Sequence, residues 1–439
     1  MCARPSNKAL VKLKLLRERL KMRRLWILNH YAAGPGDSGG TRHYDLARQL
    51  VSMGWDVSIM AASFNHQQHR DDRLLPGEKM SEEVRHGVRF VWLRTPAYYD
   101  NGWRRIWNML VFTILAIRLG WSRERPGVII GSSVHLFAVW AAFVLAKHHR
   151  CRFVFEVRDL WPQTLIDIGK VSEKHPVVWV LRRLELFLYR RADRIIVLLS
   201  RASEYMVQFG IPAEKIFYLP NGVNLARYHE ILQPLDVELE KLANSLTGKF
   251  VTAYTGTLGM ANSLDTLLDA AAILKQHGNQ QIQFLIVGNG PEKTRLIQRT
   301  AQEQLINVTF VDPLPKDYIP FLLSQVNTGI HSFQDSPVFQ WGVSPNKIFD
   351  YMAAGLPVIF LCNRAYSNPV TASGGGYVLP GEDAPALARA LLDLAEQPEH
   401  AAALGQKARA YVEHEHSMEM LGPRLASILS FDSSVQPAA

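Results

Sequence analysis

Ser344-Pro-Asn-Lys-Ile-Phe-Asp-Tyr-Met-Ala-Ala-Gly-Leu-Pro-Val-Ile359 reads as a loop, a short helix, a glycine stop and a buried strand. Ser344 and Pro345 fit the cap and first position of the helix, and Gly355 fits the C′ position that ends it. Pro357-Val-Ile-Phe-Leu361 is an apolar run suited to a parallel strand covered on both faces. The first turn of such a helix carries free backbone N–H groups and partial positive charge, which suits a phosphate. Ser344 and Asn346 stand at that end. Lys347 adds a cation, and Asp350 offers a carboxylate to sugar hydroxyls. Together these groups suit a nucleotide diphosphate and its ribose. A capped surface helix of any α/β protein carries the same pattern, so the reading needs support from the rest of the chain.

Outward from this segment, short apolar runs alternate with helical stretches. Phe250–Tyr254, Phe284–Val287, Val308–Val311, Gly329–Ser332 and Val358–Leu361 form one series of strands. An earlier series comprises Leu25–Asn29, Val57–Met60, Val88–Leu93, Val128–Ile130, Phe153–Val157 and Ile195–Leu199. Strands alternating with helices imply a doubly wound parallel sheet, and two series imply two Rossmann-like domains facing across a cleft. The expected divisions are a basic arm over 1–24, a first domain over 25–222, a linker over 223–247 and a second domain over 248–405. A last helix over 406–430 and an unstructured tail over 431–439 complete the chain. Ligands of such sheets bind at the carboxyl ends of the strands.

The chain has 439 residues and is 48% hydrophobic, enough for two cores. Its three cysteines have no paired spacing, which argues against a disulfide framework or zinc site and fits a reducing compartment. Of the net charge of +9, residues 1–24 hold +8, with nine Lys or Arg against Glu18. Such an arm suits anionic lipid headgroups or nucleic acid, or it is a solvated tail. No apolar run follows it, so a cleavable signal peptide is not expected. No segment reaches the roughly 18–20 apolar residues that span a bilayer. The nearest, Ile106–Ile117, is flanked by Arg104, Arg105 and Arg118 and by Trp103, Trp107 and Trp121. It reads either as a buried helix or as one lying in a membrane interface through Trp103, Trp107, Leu110 and Phe112.

The opening segment resembles the donor-site signature of the family 4 retaining glycosyltransferases, which have the GT-B fold. Further matching pieces occur in order: Asn29-His-Tyr-Ala with Gly39-Gly-Thr-Arg-His43, Phe155-Glu-Val-Arg-Asp-Leu-Trp-Pro162, Pro220-Asn-Gly-Val223, Thr255-Gly-Thr-Leu-Gly259 and Val287-Gly-Asn-Gly-Pro291. Within the family the chain is most similar to WbuB-like transferases of O-antigen and capsule assembly.

The resemblance implies roles residue by residue. Gly256 and Thr257 lie in the loop that approaches the donor phosphates, Gly288 lies below the nucleotide, and Val311 ends the strand where the base is read. Gly39 and Gly40 let the acceptor and donor phosphate come close, and Arg42 and His43 contact an acceptor phosphate. His135 lines the reaction centre, and Arg158 and Asp159 stand near the transferred sugar. In an alternative reading, the last two are a structural ion pair.

Two departures stand out. Relatives often carry Arg or Lys just after the phosphate loop, where this chain has Met260-Ala-Asn-Ser263; Lys347 is the candidate substitute. Relatives also carry two glutamates separated by seven residues, where this chain has Gly342 and Asp350.

The expected function is metal-independent transfer of an N-acetylated sugar from UDP to an undecaprenyl-diphosphate-linked saccharide. The expected location is the cytoplasmic face of the bacterial inner membrane. No cofactor is expected, and the partners are the UDP-sugar donor, the lipid-linked saccharide acceptor and the inner-membrane surface, with no nucleic acid. Alternatives are a soluble transferase acting on a small molecule or glucan, a UDP-sugar epimerase, and an inactive scaffold or nucleic-acid-binding protein. A dinucleotide dehydrogenase is disfavoured, because the first loop does not read Gly-x-Gly-x-x-Gly.

Overall fold

The computed structural model describes residues 23–438 except 35, 38, 67–69, 72, 100, 101, 134, 230–232, 235, 364–366 and 432–435. Most of the basic arm, residues 1–22, lies outside this range. Arg23 and Arg24 do not belong to an arm: Arg24 opens the first strand and pairs with Asp56 at 2.9 Å.

Eight strands form the first sheet: β1 (Arg24–Leu28), β2 (Asp56–Ala62), β3 (Met80–Arg85), β4 (Val88–Leu93), β5 (Val128–Ser132), β6 (Arg152–Val157), β7 (Arg194–Val197) and β8 (Ile216–Tyr218). Their order is β3-β4-β2-β1-β5-β6-β7-β8, all parallel except β3. Six form the second: β9 (Phe250–Thr255), β10 (Ile282–Val287), β11 (Val308–Val311), β12 (Thr328–Ser332), β13 (Val358–Leu361) and β14 (Gly376–Leu379), in the order β11-β10-β9-β12-β13-β14. In each sheet the chain order reverses beside the first strand, between β1 and β5 and between β9 and β12. These reversals open the two ligand crevices. A separate apolar cluster covers each face of each sheet, which is why the strands read as unbroken apolar runs.

Six helices matter for the site: α1 (Arg42–Ser52), α2 (Trp103–Trp121), α3 (Leu136–His149), α4 (Pro176–Arg191), α5 (Asn346–Ala353) and α6 (Met418–Leu429). Helix α6 packs on α1 and buries Leu421, Leu425 and Ile428 in the first domain's core. The chain therefore does return, but not as one helix from 406. A helix over Pro398–Glu415 stays with the second domain, and the crossing is at His416–Ser417. There the two connections run side by side: Val223 N–H donates to the His416 carbonyl at 2.9 Å, and Met418 N–H donates to that of Val223 at 3.0 Å.

The stretch 223–247 is also corrected. Leu239 and Leu246 of its helix, Val237–Leu246, are buried in the second domain's core, so most of it is not a free linker. Of the tail, Phe431 lies under the guanidinium groups of Arg152 and Arg194, and Ala438 N–H donates to the Ile216 carbonyl.

Candidate active site

On the second domain, three strand ends are stitched together. Gly256 N–H donates to the Val287 carbonyl (2.8 Å) and Gly288 N–H to that of Val311 (3.0 Å). Gly288 has φ +150, and a β-carbon there would lie 1.8 Å from the Gly256 carbonyl oxygen, so only glycine fits. The Val311 carbonyl, expected to read a base, is thus already holding the loop.

Helix α5 closes on this loop from the side. Tyr351 Oη accepts from Thr255 N–H at 2.8 Å. Lys347 Nζ donates to Tyr254 Oη at 2.7 Å and stands 3.9 Å from the centre of that ring. Tyr254 Oη donates in turn to the Thr257 carbonyl at 2.7 Å. Burial lowers the Lys347 ammonium to about 7. His331, at the end of β12, is held neutral by burial and by the charge of Lys347.

Three expectations about α5 are corrected. The helix starts at Asn346 with Pro345 as its cap residue, and no side chain caps it. Ser344 instead serves the domain crossing: its hydroxyl accepts from Asn221 N–H at 2.8 Å, and its carbonyl accepts from Asn221 Nδ2. The first-turn N–H groups of α5 therefore have no side-chain cap and face the cleft beside Gly40, where a β-carbon would lie 2.7 Å from Asn346 Nδ2.

Asp350 is not an open acceptor for ribose. It is buried, with Oδ1 accepting from Tyr228 Oη at 2.9 Å and Oδ2 from Lys316 Nζ at 2.5 Å. A ribose hydroxyl would have to displace one of them. Gly342 has φ +99, and a β-carbon there would lie 2.9 Å from Ser200 N of the first domain. The place of the family's first glutamate is thus filled by the facing backbone.

On the first domain, Gly39 has φ +107, and Gly39 and Gly40 line a small cavity of about 40 Å³ with His30, Tyr31, Asp37, His66 and Arg73. Arg42 and His43 are not exposed to an acceptor, which corrects that expectation. The first turn of α1 points them under the strand ends, where both are buried against Glu156. Asn29 Nδ2 donates to His43 Nδ1 at 2.9 Å, so His43 donates to Glu156 from Nε2 at 2.5 Å. Arg42 also donates to the Leu219 carbonyl at 2.9 Å and to that of Pro220. Burial alone would raise the Glu156 carboxyl, but His43, Arg42 and Arg158 outweigh it and hold the group well below the ordinary range.

His135 lies at the end of β5, at the cleft, yet its ring is fully engaged. Nδ1 accepts from Ala138 N–H at 3.3 Å as the cap of α3, and Nε2 meets His30 Nδ1 at 2.6 Å. Burial lowers it to about 3. It is thus held as a neutral strut and is not poised to move a proton. Arg158 and Asp159 make no ion pair within 4 Å, although the Arg158 charge acts on the Asp159 carboxyl. Arg158 is anchored through its backbone N–H to Ser133 Oγ at 3.2 Å. It is half-buried and its charge acts on Glu156, while Asp159 is exposed.

Helix α2 splits the four expected membrane residues. Trp103 and Trp107 are exposed and Leu110 is half-buried, but Phe112 is fully buried and stacked on His30 at 4.7 Å. With Asn108 and Ala116 it forms the inner face, at spacings of four. The structure adds a wider apolar surface that the sequence did not single out. Helix α2 packs on α3, and α3 on α4. Trp140 of α3 and Val177, Trp179 and Val180 of α4 are exposed, as are Ile106, Ile114 and Trp121 of α2.

The other residues missed were His30, which stood inside the Asn29-His-Tyr-Ala segment, and Lys316 and Tyr228. Nothing local marked the last two, which lie 34 and 122 positions from Asp350.

Among known proteins, the glycosyl transferase 4-like domain matches residues 39–222, and the glycosyl transferases group 1 domain matches residues 238–411. A colanic acid biosynthesis glycosyl transferase of Escherichia coli, WcaI, is 22% identical over 71% of this chain and 76% of its own length. The glycosyltransferase WbjE of Pseudomonas aeruginosa is 24% identical over 68% and 72%. Among solved structures, sucrose-phosphate synthase of Thermosynechococcus elongatus superposes with a TM-score of 0.70 at 19% identity, covering 92% of this chain and 98% of its own. HepE of Anabaena in complex with UDP-glucose gives 0.65 at 16%, covering 93% and 99%. Two α/β domains with their switch points facing one cleft, matched in turn by these two domain families, make the chain a member of the family 4 glycosyltransferases of GT-B fold.

Proposed function

We propose that this glycosyltransferase moves a sugar, N-acetylated by preference, from UDP to an undecaprenyl-diphosphate-linked saccharide in assembly of a bacterial surface polysaccharide. The observation that carries the donor side is Lys347 standing over the Gly256 loop beside the uncapped first turn of α5. A diphosphate there meets one cation and several backbone N–H groups, which stabilise the departing UDP. Arg158 adds positive charge from the other wall, and the reaction as proposed draws on these groups without a metal. UDP is favoured as carrier because HepE is a GT-B structure bound to UDP-glucose.

The transfer retains configuration. The bond from the anomeric carbon to the β-phosphate oxygen breaks, the acceptor oxygen bonds to the same face, and the acceptor proton passes to the departing phosphate.

The acceptor side is the cavity at Gly39 and Gly40. A second hollow, lined by Phe64, Thr95, Pro96, Ala97 and Val111, shares Phe64 with it and borders α2. That continuity suits an acceptor whose polar head enters the cleft while its lipid stays beside α2. The exposed tryptophans of α2, α3 and α4, with Arg104, Arg118 and Arg183 among them, suit peripheral attachment to an anionic membrane, here the cytoplasmic face of the inner membrane. No helix among the described residues is long and apolar enough to cross one.

The test is a panel of UDP- and GDP-sugars offered with lipid-diphosphate-linked saccharides and with soluble glucans, read by product mass and anomeric NMR. A lipid-linked product of retained configuration from a UDP-sugar is expected. Transfer only to a soluble acceptor, or only from GDP-sugars, would overturn the reading.

A further inference from the structure

A histidine follows each strand at the first domain's switch point, and the two are joined. His30 and His135 are both buried, and their rings meet Nδ1 to Nε2 at 2.6 Å. The proton positions are fixed from the His135 end. Ala138 N–H donates to His135 Nδ1, so the proton of that ring sits on Nε2 and is donated to His30 Nδ1. His30 then carries its own proton on Nε2, a buried atom on the Asn108 side of the ring that makes no hydrogen bond within normal geometry among the described residues. Asn108 Nδ2 donates to Thr95 Oγ1 at 2.9 Å and to the Pro96 carbonyl at 2.6 Å. Asn108 Oδ1 is buried without a partner among the described residues, and α2 reaches His30 instead through Phe112, stacked on its ring at 4.7 Å. A further proton on His30 Nδ1 or His135 Nδ1 would set N–H against N–H, at the other ring or at the cap.

The surroundings reinforce the neutral pair. Arg105 from α2 and His66 from the loop after β2 face it with positive charge, and burial acts in the same direction. Tyr31 packs on His30 at 4.4 Å, and its hydroxyl accepts from Arg105 Nε at 3.2 Å and from Tyr98 Oη at 3.1 Å. His30 and Tyr31 both line the cavity assigned above to the acceptor. The inner face of α2 thus holds that wall through Asn108, Phe112 and Arg105, while its outer face presents Trp103, Ile106 and Trp107.

We infer that His30 is a positioning residue: it carries the seating of α2 to His135 and the acceptor cavity, so that the membrane-facing helix and the reaction cleft move as one body. The assignment of the cavity to the acceptor rests on the transferase reading; the hydrogen-bond chain does not.

The test combines histidine-nitrogen NMR of labelled protein with transfer kinetics of His30→Ala and Asn108→Leu. In the wild type both rings should show the neutral form protonated at Nε2 throughout the neutral range. Asn108→Leu should change the His30 signals and, through them, those of His135. Both variants should lower kcat by on the order of 10- to 100-fold and leave the donor KM unchanged. An imidazolium or an Nδ1-protonated ring at neutral pH would overturn the chain, as would His135 signals indifferent to Asn108→Leu. Folded variants with wild-type kcat and acceptor KM would overturn the positioning role. A wild type that transfers to no lipid-linked acceptor would instead sink the transferase reading, and the nitrogen signals would still decide the chain. If Asn108→Leu does not fold, His30→Ala and the wild-type spectrum carry the same decision.

Discussion

Lys347 and Gly256 face each other so closely that a β-carbon on the glycine would lie 3.0 Å from the lysine Nζ. The pair joins the two features expected to grip a diphosphate, the loop after β9 and the first turn of α5. Gly256→Ala should therefore displace the lysine and also strain a backbone at φ +137, a conformation costing an L-residue roughly 1–3 kcal/mol. UDP affinity, measured by calorimetry, should fall while the thermal transition drops only modestly. Unchanged affinity would separate Lys347 from the diphosphate site.

Lys347 also sets a pH dependence. Burial lowers it from 10.5 to about 7 in the unliganded protein. A bound diphosphate favours the charged form and raises it again. Binding then takes up a proton wherever the free lysine is neutral. Affinity for UDP should be level below about pH 7 and fall above it, by up to about tenfold per unit. Lys347→Arg should flatten the curve, because arginine stays charged. Lys347→Ala should lose about ten- to 150-fold in affinity, the worth of a charge-assisted hydrogen bond of roughly 1.5–3 kcal/mol. A wild-type affinity that rises with pH would refute the argument.

Asp350 separates two accounts of one carboxylate. Its oxygens are held by Lys316 and Tyr228, so Asp350→Ala leaves a nearly buried ammonium and a phenol without partners. Removing one member of such a pair destabilises by about 3–5 kcal/mol. The unliganded variant should melt well below wild type. A wild-type melting temperature with weakened UDP binding would restore the carboxylate as an open ribose ligand.

What the sequence revealed and what it hid follow from the range of each interaction. The apolar runs at Val128, Phe153 and Val358 marked strands because both sheets are covered on both faces. Met80–Arg85 escaped because an antiparallel edge strand can carry charge in place of an apolar run, as Glu82, Glu83 and Arg85 do. The donor loop and α5 were legible from glycine and proline spacing. The partners of Asp350, the burial of Arg42 and His43 against Glu156, and the use of Ser344 by Asn221 were not. Each depends on contacts more than 30 positions apart, which no local pattern encodes. Phe112 was misplaced for a different reason. In an almost wholly apolar helix the polar Asn108 marks the inner face, the reverse of the usual rule.

Glu156 should dominate the first domain's acid sensitivity. Its carboxyl is held well below the ordinary 4.5 by His43, Arg42 and Arg158. A depressed carboxylate contributes stability above its unfolded value, and that stability is lost as pH falls through the folded one. Glu156→Gln, which leaves Arg42 buried without its counter-charge, should lose about 3–5 kcal/mol at neutral pH. Urea unfolding of both proteins from pH 7 downwards should show the gap closing only below the ordinary carboxylate range. A gap independent of pH would mean that Glu156 acts through shape alone.

The apolar face of α2, α3 and α4 should hold the protein on a membrane in a manner that salt does not undo. Residues 1–24 carry +8, and each Lys or Arg near an anionic surface contributes about 1 kcal/mol at most. That attraction is screened beyond roughly 8–10 Å at physiological salt. Burial of exposed tryptophans is not electrostatic and should persist. Trp103, Trp107, Trp140 and Trp179 are all at least 36% exposed. Of their ring contacts with other aromatic residues, only those of Trp140, with Phe143 and Phe187, touch the core's edge among the described residues. Replacing the four with serine therefore removes little core packing. Flotation on anionic vesicles at low and high salt should then resolve two contributions. Deleting residues 1–22, which leaves Arg24 and its pairing with Asp56 in place, should remove the salt-sensitive part. The four-tryptophan variant should lose the salt-resistant part and keep its thermal transition. Phe112→Ser should behave differently, melting early because it empties a core position. Undiminished flotation of the four-tryptophan variant at high salt would remove this face from the membrane.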